Sequence, residues 1–484
     1  MLHPEQKQKG ANSTASLSQR TAALRTSGIY KLAPEILAQI FVETLPNRPL
    51  GIDTRLPPLL LLQVCRLWRD VALATPPLWT TLDFAHPFKL DGPKIFKRWI
   101  TNSGALPLTF VFETTDFSGS LQQEHELMCL LLHHLDRFEV LEGEIGQPFW
   151  DVLLADGSGT HTPISAAQLR RFEFRDKAHA DLQLNVESII QADRARASIH
   201  APELRSLTLQ GPWFLMPLLD FNVRQLYRFS LTKIEYEVPA LPPLELIHII
   251  RRCENLREMD ITLCEEICPD SLEELDPISL TWLTSLRLWI VPECDGAEKF
   301  IKALNIPEIK CLEIRSDDPG VHIDFRWLEH LLEKRLTSLV SLKLIFMDLD
   351  PPGDLSNFSL WSLGSLESIE LSGGFIGNRI FEHLIPQSPR WTTWILPNLH
   401  DIKLKNIELV HWTDVIEMIT KRVAYTEPSA GSTGALEYQF VVQDNSGCFE
   451  ENSRKIFDHL QQETNGRFQF RLIQPGGDFD GEEV

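Results

Sequence analysis

The side chains that could carry out catalysis or hold a metal are scattered through this 484-residue chain without a recognisable arrangement. Cys264 and Cys268 form the only close pair among eight cysteines, and no second pair follows at the spacing of a zinc site. His133 and His134 end an apolar stretch, where ordinary core or surface histidines are the commoner interpretation. The glycine-rich segment 373–377 lacks the spacing of a nucleotide-binding loop and predicts a turn after a strand. The sequence therefore predicts no catalytic residue, no metal ligand and no cofactor.

Composition indicates a folded protein with an acidic surface. Hydrophobic residues make up 43% of the chain and charged residues 23%, and the formal net charge is −21. A negative surface repels phosphates, so we expect no nucleic-acid partner. No apolar run reaches the length of a membrane span, and the N-terminus lacks the apolar core of a secretory signal. We expect a cytoplasmic and/or nuclear protein with reduced cysteines and no membrane partner.

Two amphipathic helices are predicted near the N-terminus, and they position the side chains of this part of the chain. The first begins at Pro34, and its apolar positions recur at three- and four-residue spacing: Ile36, Leu37, Ile40 and Phe41. The second follows Pro57-Pro58, and its apolar stripe comprises Leu60, Val64, Leu67, Trp68 and Val71. Two short helices cannot bury these faces alone, so they pack on each other and on a partner. The alternative is an ordinary helical hairpin that caps a larger domain.

This segment resembles an F-box, the helical module that joins a protein to a ubiquitin ligase. The match covers Leu32, Pro34, Glu35, Ile40 and Phe41 in its first half, Val64, Cys65, Arg66, Trp68 and Arg69 in its second, and Pro76, Leu78 and Trp79 at its end. The chain departs from the family's pattern at Ala33 and through an insertion at 47–56, and segment 99–108 is similar to one that follows the F-box in fungal F-box-like proteins. The resemblance implies contact with a Skp-type adaptor through Leu32, Pro34, Ile36, Leu37, Ile40, Phe41, Leu60, Val64, Cys65 and Trp68.

An irregular repeat of the form apolar-x-x-apolar-x-apolar fills the middle of the chain at intervals of 22 to 35 residues. Its ten occurrences are Leu135/Phe138/Val140, Leu169/Phe172/Phe174, Leu204/Leu207/Leu209, Leu226/Phe229/Leu231, Leu256/Met259/Ile261, Leu283/Leu286/Leu288, Ile309/Leu312/Ile314, Leu339/Leu342/Leu344, Leu366/Ile369/Leu371 and Leu399/Ile402/Leu404. These intervals suit one strand plus a helix or loop per unit, and the pattern resembles an irregular leucine-rich repeat. A generic α/β domain whose strands share a motif is the alternative.

The residues between the apolar positions of each predicted strand would form the concave face of such a domain. That face is mixed in sign, and it includes Trp289 and Arg315, two residue types that often anchor protein interfaces. Together with Lys403 and Lys405, they are our candidates for contacts with an unknown target protein.

The chain as a whole is thus predicted to be α/β, with a short all-helical F-box module followed by an irregular leucine-rich-repeat solenoid. The expected parts are a disordered or weakly helical tail at 1–28, the F-box at 29–84, connecting helices and a strand at 85–134, the repeat domain at 135–435, and a C-terminal cap with an acidic tail at 436–484. The resemblance implies a non-catalytic substrate-recognition subunit of a Skp–cullin–F-box type ubiquitin ligase. A non-degradative interaction scaffold and an enzyme with a site spread over the repeat face remain as alternatives.

Overall fold

The protein is mixed α/β, with parallel sheets and ten α-helices in the part that the structure describes. The computed structural model describes residues 31–46, 52–84, 92–112, 121–145, 164–176, 199–210, 219–232, 243–263, 275–290, 295–316, 323–324, 329, 331–332, 336–348, 359–373, 375–376, 378–385, 395–406, 408–409, 412–425, 438–443, 451–464 and 467–473. The predicted tail at 1–28, Cys264, Cys268 and the acidic C-terminus lie outside these residues. The chain divides into two compact units, Met1–Leu153 and Leu154–Val484.

The first unit combines short helices with a three-stranded parallel sheet in the order β1-β2-β3. Its elements are α1 (Pro34–Glu43), α2 (Leu61–Val64), α3 (Arg66–Leu73), a 3₁₀ turn (Pro76–Trp79), β1 (Thr81–Phe84), α4 (Gly92–Asn102), β2 (Leu108–Phe112), α5 (Leu121–His133), a second 3₁₀ turn (Leu135–Arg137) and β3 (Phe138–Ile145). Pro34 occupies the first turn of α1, where its missing N–H costs no hydrogen bond.

The second predicted helix is wrong as a single element, because the chain breaks at Cys65 into α2 and α3. Cys65 is extended, with φ −162° and ψ 174°, and its Sγ accepts a hydrogen bond from the Trp68 N–H at 3.5 Å. The Arg69 Nε donates to the Leu62 carbonyl at 2.9 Å across the break. A sulfur cap is a weak helix-start signal, so the apolar stripe conceals the break in the sequence.

Two tryptophans join the end of the helical segment to the first strand. The Trp79 Nε1 donates to the Ala72 carbonyl at 2.9 Å, and the Trp99 Nε1 donates to the Thr81 carbonyl at 3.0 Å. The two indoles meet edge to face, with ring centroids 4.8 Å apart. The helical segment, β1 and α4 therefore share one core within the first unit.

Strand β3 departs from the predicted alternation, because a bulge shifts its register against β2. Leu108 pairs with Phe138, but Thr109 pairs with Val140 rather than Glu139. Leu141 is consequently the second buried residue of the strand, whereas Val140 is only half-buried. The prediction that Val140 points inward is wrong for this reason.

Among its described residues, the second unit contains eleven long strands that lie in chain order, each parallel to the next. They are β5 (Arg171–Asp176), β7 (Ser206–Gln210), β9 (Arg228–Thr232), β10 (Glu258–Leu263), β12 (Ser285–Ile290), β14 (Cys311–Ser316), β16 (Ser341–Ile345), β18 (Ser368–Ser372), β20 (Asp401–Lys405), β22 (Tyr438–Gln443) and β23 (Phe468–Ile473).

Shorter elements connect these long strands. The short strands are β4 (Ile164–Ser165), β6 (Ile199–Ala201), β8 (Leu219–Phe221), β11 (Ile278–Ser279), β13 (Leu304–Asn305), β15 (Ile323–Asp324), β17 (Met347–Asp348), β19 (Phe375–Ile376) and β21 (Glu408–Leu409). The helices are α6 (Pro243–Arg252), α7 (Asp295–Ala303), α8 (Asn378–Leu384), α9 (Thr413–Tyr425) and α10 (Glu451–Glu463), with 3₁₀ turns at Val223–Gln225 and Ser359–Ser362. Within the predicted C-terminal cap, the residue pattern predicts strands near 436–442 and 468–473 and a helix near 453–464, and these are confirmed as β22, β23 and α10.

The nine repeat triplets of the second unit have the predicted strand phase. In all nine, the first apolar residue and the two within the strand are buried, at 5% exposure or less. One face of each of these strands therefore forms the core. The intervening residues are polar or charged in most strands, so they form a second face of a different character.

Three of the long strands are followed directly by a residue with left-handed backbone conformation. Phe346, Gly373 and Asn406 have φ of 55°, 61° and 49°, and they follow β16, β18 and β20. Each donates its N–H to the carbonyl of the last residue of the next strand, at 2.7, 2.8 and 2.7 Å. The chain thus makes the same turn at the same place in consecutive repeats, and the predicted turn at Gly373 is confirmed.

Candidate functional site

The described residues contain no cluster of three or more histidine, cysteine or acidic side chains that could hold a metal ion. Burial raises the pKa of the Cys253 thiol to about 12, so it is not a thiolate at neutral pH. His133 and His134 stack edge to face with ring centroids 4.9 Å apart, and burial lowers the pKa of His134. These groups have ordinary structural surroundings.

The helical segment of the first unit exposes four apolar side chains to solvent, in two pairs on different helices. Ile36 and Ile40 are one turn apart on α1, while Leu60 and Val64 are one turn apart at α2. All four are between 40% and 49% exposed. We call these four residues the helical apolar surface. Large apolar side chains exposed in pairs on short helices are typical of a protein-binding site.

Three other predicted adaptor residues, Leu37, Phe41 and Trp68, pack beneath these helices. Leu37 and Phe41 are buried, with 0% and 1% exposure, and the Phe41 ring lies 4.8 Å from that of half-buried Trp68. The predicted apolar face of α1 thus divides: Leu37 and Phe41 face the unit's own core, and Ile36 and Ile40 face outward. Both buried side chains are covered by the unit itself, and their direct contact with an adaptor stays a prediction.

Three further predicted adaptor residues lie at the edges of these helices. Pro34 is exposed at the first turn of α1, and Leu32 is half-buried just before it. Cys65 is half-buried, and its Sγ accepts the capping hydrogen bond at the start of α3. Pro34 and Leu32 are therefore accessible beside the helical apolar surface, whereas Cys65 has a structural task.

The second surface is the polar sheet face of the second unit, formed by the outward residues of β10, β12, β14, β16, β18 and β20. The structure brings Trp289 and Arg315 together there: the guanidinium carbon lies 3.3 Å from the indole centroid. The Trp289 Nε1 donates to the Asp260 Oδ1 at 2.9 Å. Burial, the largest influence, raises the pKa of Asp260, while Arg287 and this N–H act to lower it.

A row of alternating charge crosses this face, and sequence reasoning missed it. Six successive strands each contribute one charged residue to this face, and the strand register places each residue beside one of opposite sign. In strand order the residues are Asp260, Arg287, Glu313, Lys343, Glu370 and Lys403. Arg287 lies 3.9 Å from Asp260 and 3.5 Å from Glu313, and Lys343 lies 4.0 Å from Glu313 and 3.8 Å from Glu370. Aligning the six-residue repeats and reading only their fifth position, between the last two apolar residues, would have shown the alternation.

The two predicted target lysines belong to the same charge pattern. Lys403 lies 3.4 Å from Asp401 on its own strand, and Lys405 lies 2.9 Å from Glu370 on the neighbouring strand. All four predicted target residues therefore lie on one face, but each already contacts a neighbouring side chain. The face presents little net charge to a partner.

Comparison with known proteins adds no assignment. No protein-family model matches the sequence, and no curated protein is significantly similar to it. Across the described ranges, every helix falls short of the length and apolarity needed to cross a membrane.

Proposed function

We propose that this protein is the substrate-recognition subunit of a Skp–cullin–F-box type ubiquitin ligase. Residues 29–84 form an F-box that binds a Skp-type adaptor, and an irregular leucine-rich-repeat solenoid binds the target protein. The chain has no catalytic role and needs no cofactor in this proposal: it holds the target's lysine near a ubiquitin-loaded enzyme that other subunits carry.

The observation that carries the proposal is the helical apolar surface. Ile36, Ile40, Leu60 and Val64 are exposed although their segment has a core of its own, to which Leu37 and Phe41 contribute. Exposed isoleucine, leucine and valine at one-turn spacing suit the groove of a helical adaptor. Of the ten proposed contact residues, we retain these four with Leu32 and Pro34, and assign Leu37, Phe41, Cys65 and Trp68 to their support.

Strand order and residue alternation support the repeat domain. Parallel sheets of doubly wound α/β proteins are covered on both faces and are apolar on both. Here, neighbouring strands are parallel and follow chain order, yet one face is polar and charged. That combination is typical of a solenoid and argues against a generic α/β domain.

A pull-down of the tagged full chain from cell extract tests the proposal. Recovery of a Skp-type adaptor together with a cullin is the expected result. Recovery of the adaptor alone would favour the non-degradative scaffold. Recovery of neither would contradict the F-box assignment, because a folded receptor should hold its adaptor through washing.

A further inference from the structure

A groove of about 600 Å³ crosses the second unit where β7, β9, β10 and β12 begin. One row of its lining residues directly precedes a buried leucine in each of four repeats: Glu203, Gln225, Asn255 and Trp282. A second row stands directly before three of the strands: Arg205, Tyr227 and Arg257. We call this the strand-start groove. It is separate from the polar sheet face, because none of its residues belongs to the strands that form that face.

Cations and aromatic rings alternate along the groove. From β7 to β12 the order is Arg205, Tyr227, Arg257 and Trp282. All four are exposed, with Trp282 at 61% and Tyr227 at 38%. Exposed tryptophan, tyrosine and arginine are the residue types that contribute most to protein interfaces, and here they share one concave site.

The two arginines have no acidic partner within the described part of the chain, in contrast to the cations of the polar sheet face. Arg224, close to the groove, is neutralised by Glu254 at 3.3 Å. The lining residues thus comprise two cations and one acid, Glu203, which leaves the groove a net positive charge on a chain of net charge −21. Charge complementarity points to a ligand with negative groups.

Strand spacing indicates the shape of that ligand. Arg205 and Arg257 stand before strands that have one strand between them, so their backbones are about 10 Å apart. An extended peptide covers this distance in about three residues. Tyr227 lies between the two arginines, and Trp282 belongs to the other row, at the β12 end of the groove.

We propose that the strand-start groove binds an extended acidic segment of a partner protein, with two carboxylates about three residues apart and an apolar side chain between them. The carboxylates pair with Arg205 and Arg257, while the apolar side chain packs on Tyr227 or Trp282. This deepens the proposed function, because it names the class of target segment that the receptor recognises.

The test uses the purified full chain and a display library of random dodecapeptides, without adaptor. We expect selection to enrich peptides with two acidic residues two to four positions apart. Enrichment without acidic residues, or no enrichment at all, would overturn the proposal. Because no adaptor is present, this experiment can refute the peptide-binding proposal without refuting adaptor binding, and an adaptor-binding experiment can do the reverse.

Variants then locate the binding of the best peptide. Arg205→Glu with Arg257→Glu should weaken it at least about tenfold, and Glu203→Gln should strengthen it severalfold by removing repulsion. The matched control is Arg252→Glu with Lys310→Glu. Lys310 precedes β14 and donates the same type of backbone hydrogen bond as Arg257, but it does not line the groove. Equal weakening by both double variants would show a general charge effect and refute this site.

Discussion

At the scale of single residues, one apolar stripe serves two purposes. Leu37 and Phe41 belong to the core, while Ile36 and Ile40 on the same helix face solvent. The sequence predicts the stripe because its spacing is helical, but it cannot divide the stripe, since core and partner select the same residue types. Only the packing of Phe41 against Trp68 shows which edge of the stripe is left exposed.

Arg422 gives a residue-scale prediction that pattern reasoning could not supply. It is fully buried on α9, and its guanidinium donates to the carbonyls of Leu384, Ile395 and Leu396 at 3.0, 2.6 and 3.0 Å. Burial lowers its pKa to about 10, so it remains charged at neutral pH. Replacing Arg422 leaves buried carbonyls without a hydrogen-bond donor. The free-energy cost of an unpaired buried carbonyl exceeds the net stabilisation that its hydrogen bond provides.

Arg422→Met should therefore lower the free energy of unfolding by about 2–4 kcal/mol, measured by urea denaturation at pH 7. The neighbouring Lys421 is half-buried and pairs with Glu417 one turn away, so Lys421→Met should cost about 0.5 kcal/mol or less. Similar losses in the two variants would contradict the role given to Arg422.

At the scale of elements, the sequence predicts strands better than their irregularities. Nine of the ten repeat triplets have the expected phase, because a period of two with buried leucines is a strong pattern. The break at Cys65 and the bulge beside Val140 are missed. Each irregularity involves a single residue: a helix cap at Cys65 and an extra residue in the pairing of β3. The spacing of apolar residues along the chain does not reveal either one.

The repeated left-handed turn gives the prediction at this scale. Gly373 has φ of 61°, and a Cβ there would lie 2.4 Å from Cδ1 of Phe346, the left-handed residue of the preceding repeat. Gly373→Ala should cost about 1–3 kcal/mol through backbone strain and displacement of the ring. Denaturant unfolding of the purified chain measures the loss.

Gly364 provides the control for that substitution. A Cβ at Gly364 would meet no atom within 4 Å, and the residue lacks a positive φ. Gly364→Ala should therefore change the free energy of unfolding by about 0.5 kcal/mol or less. If Gly373→Ala were equally mild, the stacked turn would not be a stabilising feature of the repeats.

At the scale of the whole molecule, each unit presents its own candidate binding surface. The first has exposed aliphatic pairs on α1 and α2, whereas the second has a self-neutralised sheet face and a positive groove. The sequence suggests two candidate binding regions, since amphipathic helices and repeats differ in period. It places the target on the sheet face because it cannot show that Trp289, Arg315, Lys403 and Lys405 already have partners there.

The dissociation constant between the purified full chain and a Skp-type adaptor tests the central claim most directly. Ile40→Asp places a charge on the helical apolar surface without entering the core, and it should weaken binding by about 30- to 1,000-fold. Ile456→Asp is the control, since Ile456 is 44% exposed on α10 in the other unit, and it should bind like the unmodified chain. A folded Ile40→Asp protein with undiminished adaptor affinity, or an unmodified chain that does not bind the adaptor, would contradict the F-box assignment.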